Sequence, residues 1–256
     1  MDYQRYQAYH RKRFQYLLQL VKQVKPEKRN RVLDIGPGPL THMLREHYRE
    51  VWSLGFESSA IFPGAKSESG RHIVFDLSTN EPRQEHSMEE SGDGPGNLAE
   101  GKERQPGAQN GWPNLPACDA IVFGEVIEHV HANPVIILAF LASGLAKNGI
   151  LICQTPNSVA LHKRLAMLLG RPSFNRWKSG HVTEFTRREL ALLGREAGLN
   201  PVFHEYRNYF GFDGSWKRRM AQRICDGIGV LVPSFRRGQT MIFQRTTVGS
   251  ETGLTF

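Results

Sequence analysis

The sequence predicts an α/β fold: a mostly parallel sheet with helices on both faces and an antiparallel strand at one edge. Short apolar segments alternate with amphipathic ones from residue 31 to residue 206, as in successive β-α units. A glycine-rich turn, Gly36-Pro37-Gly38-Pro39, directly follows the first apolar segment. The last two predicted strands, 201–206 and 240–245, flank one helical stretch and are close enough to form the antiparallel edge.

The first part of the chain supplies one long helix and three strands. Apolar residues near a 3.6-residue period predict an N-terminal helix over residues 1–27, which Lys25-Pro26 ends. Arg31-Val32-Leu33-Asp34-Ile35 is predicted as a short buried strand that runs into the glycine turn. The next elements are a helix over 40–48 and strands over 51–56 and 72–75.

Residues 80–112 interrupt this pattern. They carry seven acidic and three basic residues and are rich in glycine, so they cannot bury enough apolar surface to compensate for the entropy lost on ordering. We predict a disordered acidic insertion there. It does not mark a domain boundary, because the strand–helix alternation resumes after it, and residues 1–256 are expected to form a single domain.

The second part of the chain continues the alternation. Strands are expected over 117–123 and 150–154, and helices over 133–146, 158–170 and 186–197. Thr186 and Glu189 form a capping box that begins the last of these helices.

Composition limits the class of protein. The 256 residues carry 33 Lys and Arg against 25 Asp and Glu, a net charge of +8, which favours an anionic partner or simply keeps the chain in solution. No apolar run reaches 18 residues and the N-terminus lacks an apolar signal region, so neither a membrane span nor secretion is expected. The three cysteines lack metal-type spacing and fit a reducing cytoplasm.

The glycine turn and the acids at the strand ends point to a cofactor site. Glycines let a ligand approach the backbone, but Pro37, Pro39 and the preceding Asp34 do not suit the pyrophosphate of a dinucleotide. An acid at this point suits a ligand with a positive charge. Glu57, after the second strand, is placed to bind ribose hydroxyls, and Asp76, after the third, to accept from an adenine amino group.

Five segments in this order resemble the class I S-adenosylmethionine (SAM)-dependent methyltransferases. They are Val32-Leu33-Asp34-Ile35-Gly36-Pro37-Gly38, Glu57, Phe75-Asp76-Leu77, residues 119–130 and residues 145–152. The resemblance implies a Rossmann-like, seven-stranded sheet with SAM across its carboxyl edge. It further implies that Asp34, Gly36 and Gly38 hold the methionine part, Glu57 the ribose, and Asp76 with Leu77 the adenine, and that Gly124 and Glu125 border the cofactor.

Glu125, Glu128 and His129 are candidate catalytic or metal-binding residues. Their spacing places them on one face of a helical turn at the carboxyl edge of the sheet, and His181 is a fourth candidate. Two carboxylates and an imidazole suit a divalent cation, or a general base held by acids. In the second case His129 or His181 takes the acceptor proton and Glu128 supports it, or Glu128 merely caps the turn.

Here the resemblance extends to two subgroups. Ubiquinone-pathway O-methyltransferases share Glu-Val-Ile-Glu-His-Val, which this chain has at residues 125–130. Small-RNA 3′-terminal 2′-O-methyltransferases share Glu-x-x-Glu-His and a later histidine, here His181. In both, the resemblance associates these positions with a magnesium- or manganese-type ion.

Two basic segments, 158–182 and 213–235, are predicted on the substrate side. The first carries five bases and no acid, and suits an anionic acceptor. The second combines Lys217-Arg218-Arg219 with Ile224, Ile228 and Leu231. We expect its apolar residues to pack against the sheet; the alternative is contact with an anionic membrane surface.

The sequence thus predicts a SAM-dependent methyltransferase that modifies a hydroxyl of a small or glycan-like, anionic acceptor. The alternatives are methylation of a quinol precursor, methylation of the 3′ end of an RNA, which the positive charge favours, and a non-catalytic, methyltransferase-like binding protein. A nicotinamide-dependent oxidoreductase is disfavoured by Pro37 and Pro39.

Overall fold

Seven strands in the computed structural model form one mixed sheet. The structure describes residues 3–56, 71–77, 112–173, 180–209 and 215–246. The strands are β1 (Arg31–Ile35), β2 (Glu50–Gly55), β3 (His72–Val74), β4 (Cys118–Gly124), β5 (Leu145–Pro156), β6 (Leu199–Arg207) and β7 (Gly238–Arg245). The proposed insertion at 80–112 lies outside the described residues, apart from Trp112.

The strand order is β3-β2-β1-β4-β5-β7-β6, and it confirms the predicted fold class. The strands β1 to β5 are mutually parallel, whereas β7 pairs antiparallel with both β5 and β6. The reversed strand therefore lies second from the edge, between β5 and β6. Because β1 and β4 are central neighbours, their carboxyl ends lie side by side, in the position where ligands bind in open α/β sheets.

Six described helices accompany the sheet. They are α1 (Tyr3–Val24), α2 (Pro39–His47), α3 (Pro134–Ser143), α4 (Leu161–Leu168), α5 (Arg187–Glu196) and α6 (Trp216–Leu231). The predicted capping box at the start of α5 is present: the Thr186 hydroxyl accepts from the Glu189 amide, and the Glu189 carboxylate accepts from the Thr186 amide. No helix in the described ranges is both long and apolar enough to cross a bilayer.

Alternate residues of each central strand face different cores. Val32 of β1 and Val122 of β4 contribute to a core with Leu17 of α1 and Leu44 of α2. Leu33 and Ile35, from the same β1, contribute instead to a core with α3 and α5. This two-residue alternation explains why both faces of the sheet carry helices.

Two predictions need correction. The strand expected at 150–154 is β5, and it already begins at Leu145 because α3 ends at Ser143. Within this early part of the strand, Asn148 takes a positive φ of 65°. The apolar residues of 213–235 do not pack against the sheet as expected. Ile224, Ile228 and Leu231 are exposed, because α6 contacts the protein through its opposite side.

Candidate active site

A cavity of about 680 Å³ lies at the carboxyl ends of β1, β2 and β4. Its walls include four groups of residues: those of the turn after β1, the ends of β2 and β3, the end of β4, and one side of α1. A cavity of this size and position accommodates a cofactor-sized ligand. Among the predicted cofactor residues, those that line it are Asp34, Gly36, Gly38, Asp76, Leu77, Gly124 and Glu125.

The turn after β1 forms the floor of the cavity. Gly36 adopts a φ of +81°, a conformation that other residues rarely take, and its amide donates to the Leu54 carbonyl at 2.9 Å. The end of β2 is equally close, since a Cβ on Gly55 would lie 2.7 Å from the Pro37 ring. These contacts hold the turn open toward the cavity.

Asp34 is fixed beneath this turn. The Thr41 hydroxyl accepts from the Gly38 amide at 2.9 Å and donates to Asp34 Oδ2 at 2.6 Å. Burial raises the pKa of the Asp34 carboxyl to about 7, while the Thr41 hydrogen bond and the charges of Arg13 and Arg45 act in the opposite direction. A cationic ligand group in the cavity would favour the ionised carboxylate.

Arg13 is a functional candidate that the sequence analysis missed. It lines the cavity from α1 and is almost fully buried, with Nη1 3.8 Å from Glu125 Oε2. Its Nη2 donates to the Tyr6 hydroxyl at 3.4 Å, and its Nε finds no hydrogen-bond acceptor in the described part of the chain. A buried guanidinium with an unused donor suits an anionic group of the ligand. The available signal was an arginine on the apolar face of α1, four residues before Leu17.

The remaining cofactor candidates lie after β2 and β3. Asp76 and Leu77 line the cavity beside Phe75, whose ring packs against Trp112 with centroids 4.9 Å apart. Glu57 lies outside the described residues, and the role of this residue in binding ribose stays a prediction. The preceding residue, Phe56, does line the cavity.

Glu125 occupies a strained position after β4. Its φ of 57° is unusual for a residue other than glycine, and its amide donates to the Gln154 carbonyl of β5 at 2.8 Å. Strain of this kind costs about 1–3 kcal/mol and is concentrated at functional sites. Here the strained backbone places a carboxylate at the cavity wall, 3.8 Å from Arg13.

Glu128 and His129 lie in a single 3-10 turn, Ile127–His129. Glu128 is fully buried; its Oε2 accepts from the Thr155 hydroxyl at 3.0 Å, and its Oε1 has no hydrogen-bond donor among the described residues. His129 lines the cavity, and its Nδ1 lies 3.1 Å from the Gly180 carbonyl. Because a carbonyl only accepts, Nδ1 carries the proton of the neutral ring, and Nε2 is the basic nitrogen.

The electrostatics of this turn favour a neutral imidazole and a protonated or cation-bound acid pair. Burial lowers the pKa of His129, so that the ring is neutral near pH 7. Burial raises the pKa of both Glu125 and Glu128, and the neighbouring Glu125 raises that of Glu128 further. Two neighbouring buried carboxyl groups do not both stay ionised on their own. Either one of them holds a proton, or a cation lies beside them.

The segment after residue 180 brings His181 to the same place. The Glu128 carbonyl accepts from the Val182 amide at 2.7 Å, and the His129 and His181 rings meet edge to face with centroids 4.8 Å apart. His181 Nδ1 lies 3.0 Å from Glu184 Oε1, and Glu184 also forms a buried ion pair with Lys163 of α4. Neither Glu184 nor Lys163 was among the candidate catalytic or metal-binding residues predicted from the sequence.

Three of the four predicted metal ligands form one group. One ligand atom from each of Glu128, His129 and His181 lies within 4.8 Å of the others. The fourth, Glu125, is outside this group, with its carboxylate close to Arg13. The orphaned Oε1 of Glu128 and the anchored Nδ1 atoms of both histidines fit a divalent cation, since metal-bound histidines are commonly held through the other nitrogen.

The two basic segments contribute α4 and α6. Residues 174–179, which carry two of the five bases of the first segment, lie outside the described residues. Arg164 of α4 stacks over the Phe235 ring, 5.1 Å from its centroid.

Comparison with known proteins identifies the family. Residues 9–204 match the model of a methyltransferase domain. No protein of curated function matches the sequence. Several solved structures share the fold at low sequence identity.

Three of these structures are methyltransferases by their descriptions. The complex between the Haloferax volcanii Trm112 methyltransferase activator and a methyltransferase aligns with a TM-score of 0.60 at 13% identity, over 97% of this chain and 95% of that one. The N-methyltransferase NodS of Bradyrhizobium japonicum, bound to S-adenosylhomocysteine, aligns with a TM-score of 0.51 at 14% identity, over 93% of this chain and 87% of that one. The small RNA methyltransferase HEN1 aligns with 0.52 at 16%, over 94% of this chain but 26% of its own.

The domain match covers most of the chain, and the cavity lies where the fold places a cofactor. The chain belongs to the methyltransferase domain family, and it shares its fold with SAM-dependent methyltransferases.

Proposed function

We propose that this methyltransferase modifies a hydroxyl group and that His129 is its general base. The observation that carries the proposal is a neutral imidazole at the cavity wall whose Nδ1 is held by the Gly180 carbonyl. The same ring has Nε2 3.9 Å from the buried Glu128 carboxyl. A hydroxyl acceptor must lose its proton as it attacks, and an imidazole with a lowered pKa is suited to take it near neutral pH.

The cofactor contacts follow from the lining of the cavity. Asp34 and the turn at Gly36 and Gly38 bind the ammonium end of the methionine part, and Arg13 binds its carboxylate. Asp76 and Leu77 bind the adenine, and Glu57 binds the ribose. Gly124 and Glu125 then lie beside the reacting centre, between the cofactor and the 3-10 turn Ile127–His129, which we call the catalytic turn.

Each protein group has a defined task in the transfer. SAM, when bound, supplies an electrophilic methyl group that the acceptor oxygen takes up as the carbon–sulfur bond breaks and sulfur keeps the electron pair. His129 Nε2 accepts the hydroxyl proton, and the Gly180 carbonyl that holds Nδ1 stabilises the imidazolium so formed. The Glu128 carboxyl borders Nε2 at 3.9 Å and supports the orientation of the ring. Glu184 fixes the ring of His181, which packs edge to face on His129 and limits the orientations available to it.

The same group of side chains suits a metal-assisted variant of this reaction. Glu128, His129 and His181 would hold Mg²⁺ or Mn²⁺, and the ion would lower the pKa of the acceptor hydroxyl. The supporting observation is the buried Glu128 oxygen without a hydrogen-bond donor in the described residues. Activity that is lost on chelation and restored by Mn²⁺ would favour this variant; activity unaffected by chelator leaves the imidazole as base.

The acceptor is proposed to be a small or glycan-like molecule with anionic character. Arg164 in α4 and Arg171 after it carry positive charge, and no acid occurs between residues 158 and 182. The ion pair of Lys163 with Glu184 joins α4 to the segment that carries His181. The second candidate is the 3′-terminal ribose of an RNA. The net charge of +8 and the juxtaposition of Glu128, His129 and His181 support it, and HEN1, a small RNA methyltransferase, has the same fold.

One experiment separates these acceptors. Purified protein with radiolabelled SAM is offered anionic hydroxyl compounds, their neutral analogues, their amine analogues, and short RNAs with either a 2′-hydroxyl or a 2′-deoxy 3′ end. Label on the small anionic compounds that His129→Ala abolishes supports the proposal. Label on the RNA that depends on the terminal 2′-hydroxyl supports the second candidate. Label confined to amine acceptors would refute hydroxyl methylation.

A further inference from the structure

Helix α6 exposes an apolar stripe along its whole length. Five residues spaced by four, four, four and three positions share one face of about 120°. They are Trp216, Met220, Ile224, Ile228 and Leu231. Their exposed fractions run from 38% for Ile228 to 83% for Leu231. Exposure of a continuous stripe, rather than of scattered single residues, marks a contact surface.

The polar and small side of α6 faces the protein instead. Asp226 forms an ion pair with Arg237 at 3.2 Å, and the Gly229 carbonyl accepts from Arg236 Nε at 2.9 Å. Gly229 is buried, and a Cβ there would lie 3.0 Å from the Arg236 side chain. A surface helix that covers a core turns its apolar side towards the protein, whereas α6 turns its polar and small side inward and its apolar side outward.

Helix α4 lies beside α6 and carries further exposed apolar residues. It contacts both α6 and the 3-10 turn Pro233–Phe235. Its Lys163 is buried against Glu184, whereas Leu165 and Leu168 are exposed, as are Met167 and Leu169. We refer to the α6 stripe and the exposed apolar residues 165–169 together as the α4–α6 face.

The charges around the α4–α6 face are of one sign. By their helical positions, Lys217 lies within the α6 stripe, near its N-terminal end, and Arg219 and Arg223 lie along one side of it. Between residues 158–173 and 215–237 the only acid is Asp226, which is half-buried and paired. A second copy of this chain would bring positive charge against positive charge, so self-association through this face is disfavoured.

We propose that the α4–α6 face docks the protein onto an anionic membrane surface. Apolar residues with basic residues beside and among them are the pattern of a helix that lies in the headgroup region, where its aliphatic side chains enter the bilayer and its cations meet anionic lipids. Since Lys163 connects α4 to Glu184 and His181, the docked face is one helix away from the catalytic turn. The proposal does not depend on the identity of the acceptor.

Vesicle flotation tests the docking. Full-length protein is mixed with vesicles of phosphatidylcholine alone, or of phosphatidylcholine with phosphatidylglycerol. The test variant is Ile224→Glu with Ile228→Glu. The control is Leu192→Glu, which places a single such charge on an aliphatic residue of α5 that is 54% exposed and outside the face.

We expect wild type and Leu192→Glu to float with the anionic vesicles and not with the neutral ones. The double variant should lose at least about tenfold in partitioning, and added salt should weaken wild-type binding. All three proteins should show the same melting temperature shift with S-adenosylhomocysteine, which establishes that fold and cofactor site are intact.

Three results would overturn the proposal. They are no flotation of wild type, equal flotation with neutral vesicles, and unchanged flotation of the double variant. A change of oligomeric mass in the double variant without vesicle binding by wild type would assign the face to a second copy and likewise refute membrane docking. None of these results would affect the methyltransferase assignment, which the S-adenosylhomocysteine shift monitors separately.

Discussion

His129 Nε2 lies 3.9 Å from Glu128 Oε1, at the point where the cavity wall meets a fully buried carboxyl group. On the other side of the ring, Nδ1 is held by the Gly180 carbonyl at 3.1 Å. Gly180 has a left-handed φ of +68°, and a Cβ on this residue would lie 3.5 Å from His129 Nδ1, so its backbone passes close to the ring. The imidazole is therefore oriented by groups from two segments 51 residues apart.

His129→Ala should lower kcat by about 100-fold or more, because the acceptor hydroxyl loses its proton acceptor. The affinity for S-adenosylhomocysteine should change little, since the ring contributes to the acceptor side of the cavity. Single-turnover rates and calorimetric titration measure the two effects. His42→Ala, at an exposed position of α2, is the control. Equal losses of turnover and cofactor affinity would show that His129 only supports the cofactor pocket.

Glu184 should act on turnover through His181. It accepts from His181 Nδ1 and pairs with Lys163, so Glu184→Gln removes the charge that holds the ring and leaves a buried ammonium without its counter-ion. We expect a lower melting temperature and a reduced kcat, with S-adenosylhomocysteine affinity retained. Glu196→Gln, at an exposed position of α5, is the matched control.

A double-mutant cycle distinguishes positioning from simple destabilisation. If Glu184 works through His181, adding Glu184→Gln to His181→Ala should cause little further loss of kcat. Independent, multiplicative losses in the double variant would contradict the positioning role and leave Glu184 with a structural one.

The sheet could be predicted from sequence because each strand carries a local pattern. In β1, Val32, Leu33 and Ile35 are apolar and only Asp34 is not, and the following glycines mark the turn to α2. Arg13 could not be found in the same way, since its importance arises only when α1 packs across the strand ends. Likewise, Lys163 and Glu184 are 21 residues apart, and only the tertiary fold pairs them.

The orientation of α6 shows a second limit of sequence patterns. The period of Met220, Ile224 and Ile228 predicts an apolar stripe correctly, yet it carries no information on what covers the stripe. The expected packing against the sheet failed because the ion pair of Asp226 and the close approach at Gly229 fix the opposite side of the helix inward.

Arg13→Ala should weaken S-adenosylhomocysteine binding by about tenfold or more, because the carboxylate of the ligand loses a buried, charge-assisted partner. Arg11→Ala removes the same charge two residues earlier, from an exposed position of α1, and should leave binding unchanged. Isothermal titration at several salt concentrations measures both variants. Comparable weakening in the two variants would indicate a general charge effect rather than a contact in the cavity.

Asp34→Asn should make the ligand-free protein less sensitive to pH. Burial raises the pKa of Asp34 from its ordinary 3.8 to about 7, so between these values the folded protein holds a proton that the unfolded chain has released. The contribution of Asp34 to stability is therefore present below pH 4 and is lost as pH rises through 7. Asparagine does not titrate, and it still accepts from the Thr41 hydroxyl.

The melting temperature of Asp34→Asn relative to wild type should accordingly rise from pH 5 to pH 8 when no ligand is present. At pH 8 its S-adenosylhomocysteine affinity should fall by about tenfold or more, since the neutral amide no longer attracts the ammonium group. The variant would then be more stable alone and weaker as a binder, because the carboxylate that binds the cofactor is costly to bury without it. Thr41→Val, which removes the hydroxyl but keeps the carboxylate, should instead lower the melting temperature at pH 8. A constant difference between Asp34→Asn and wild type across this pH range would refute a raised pKa at Asp34.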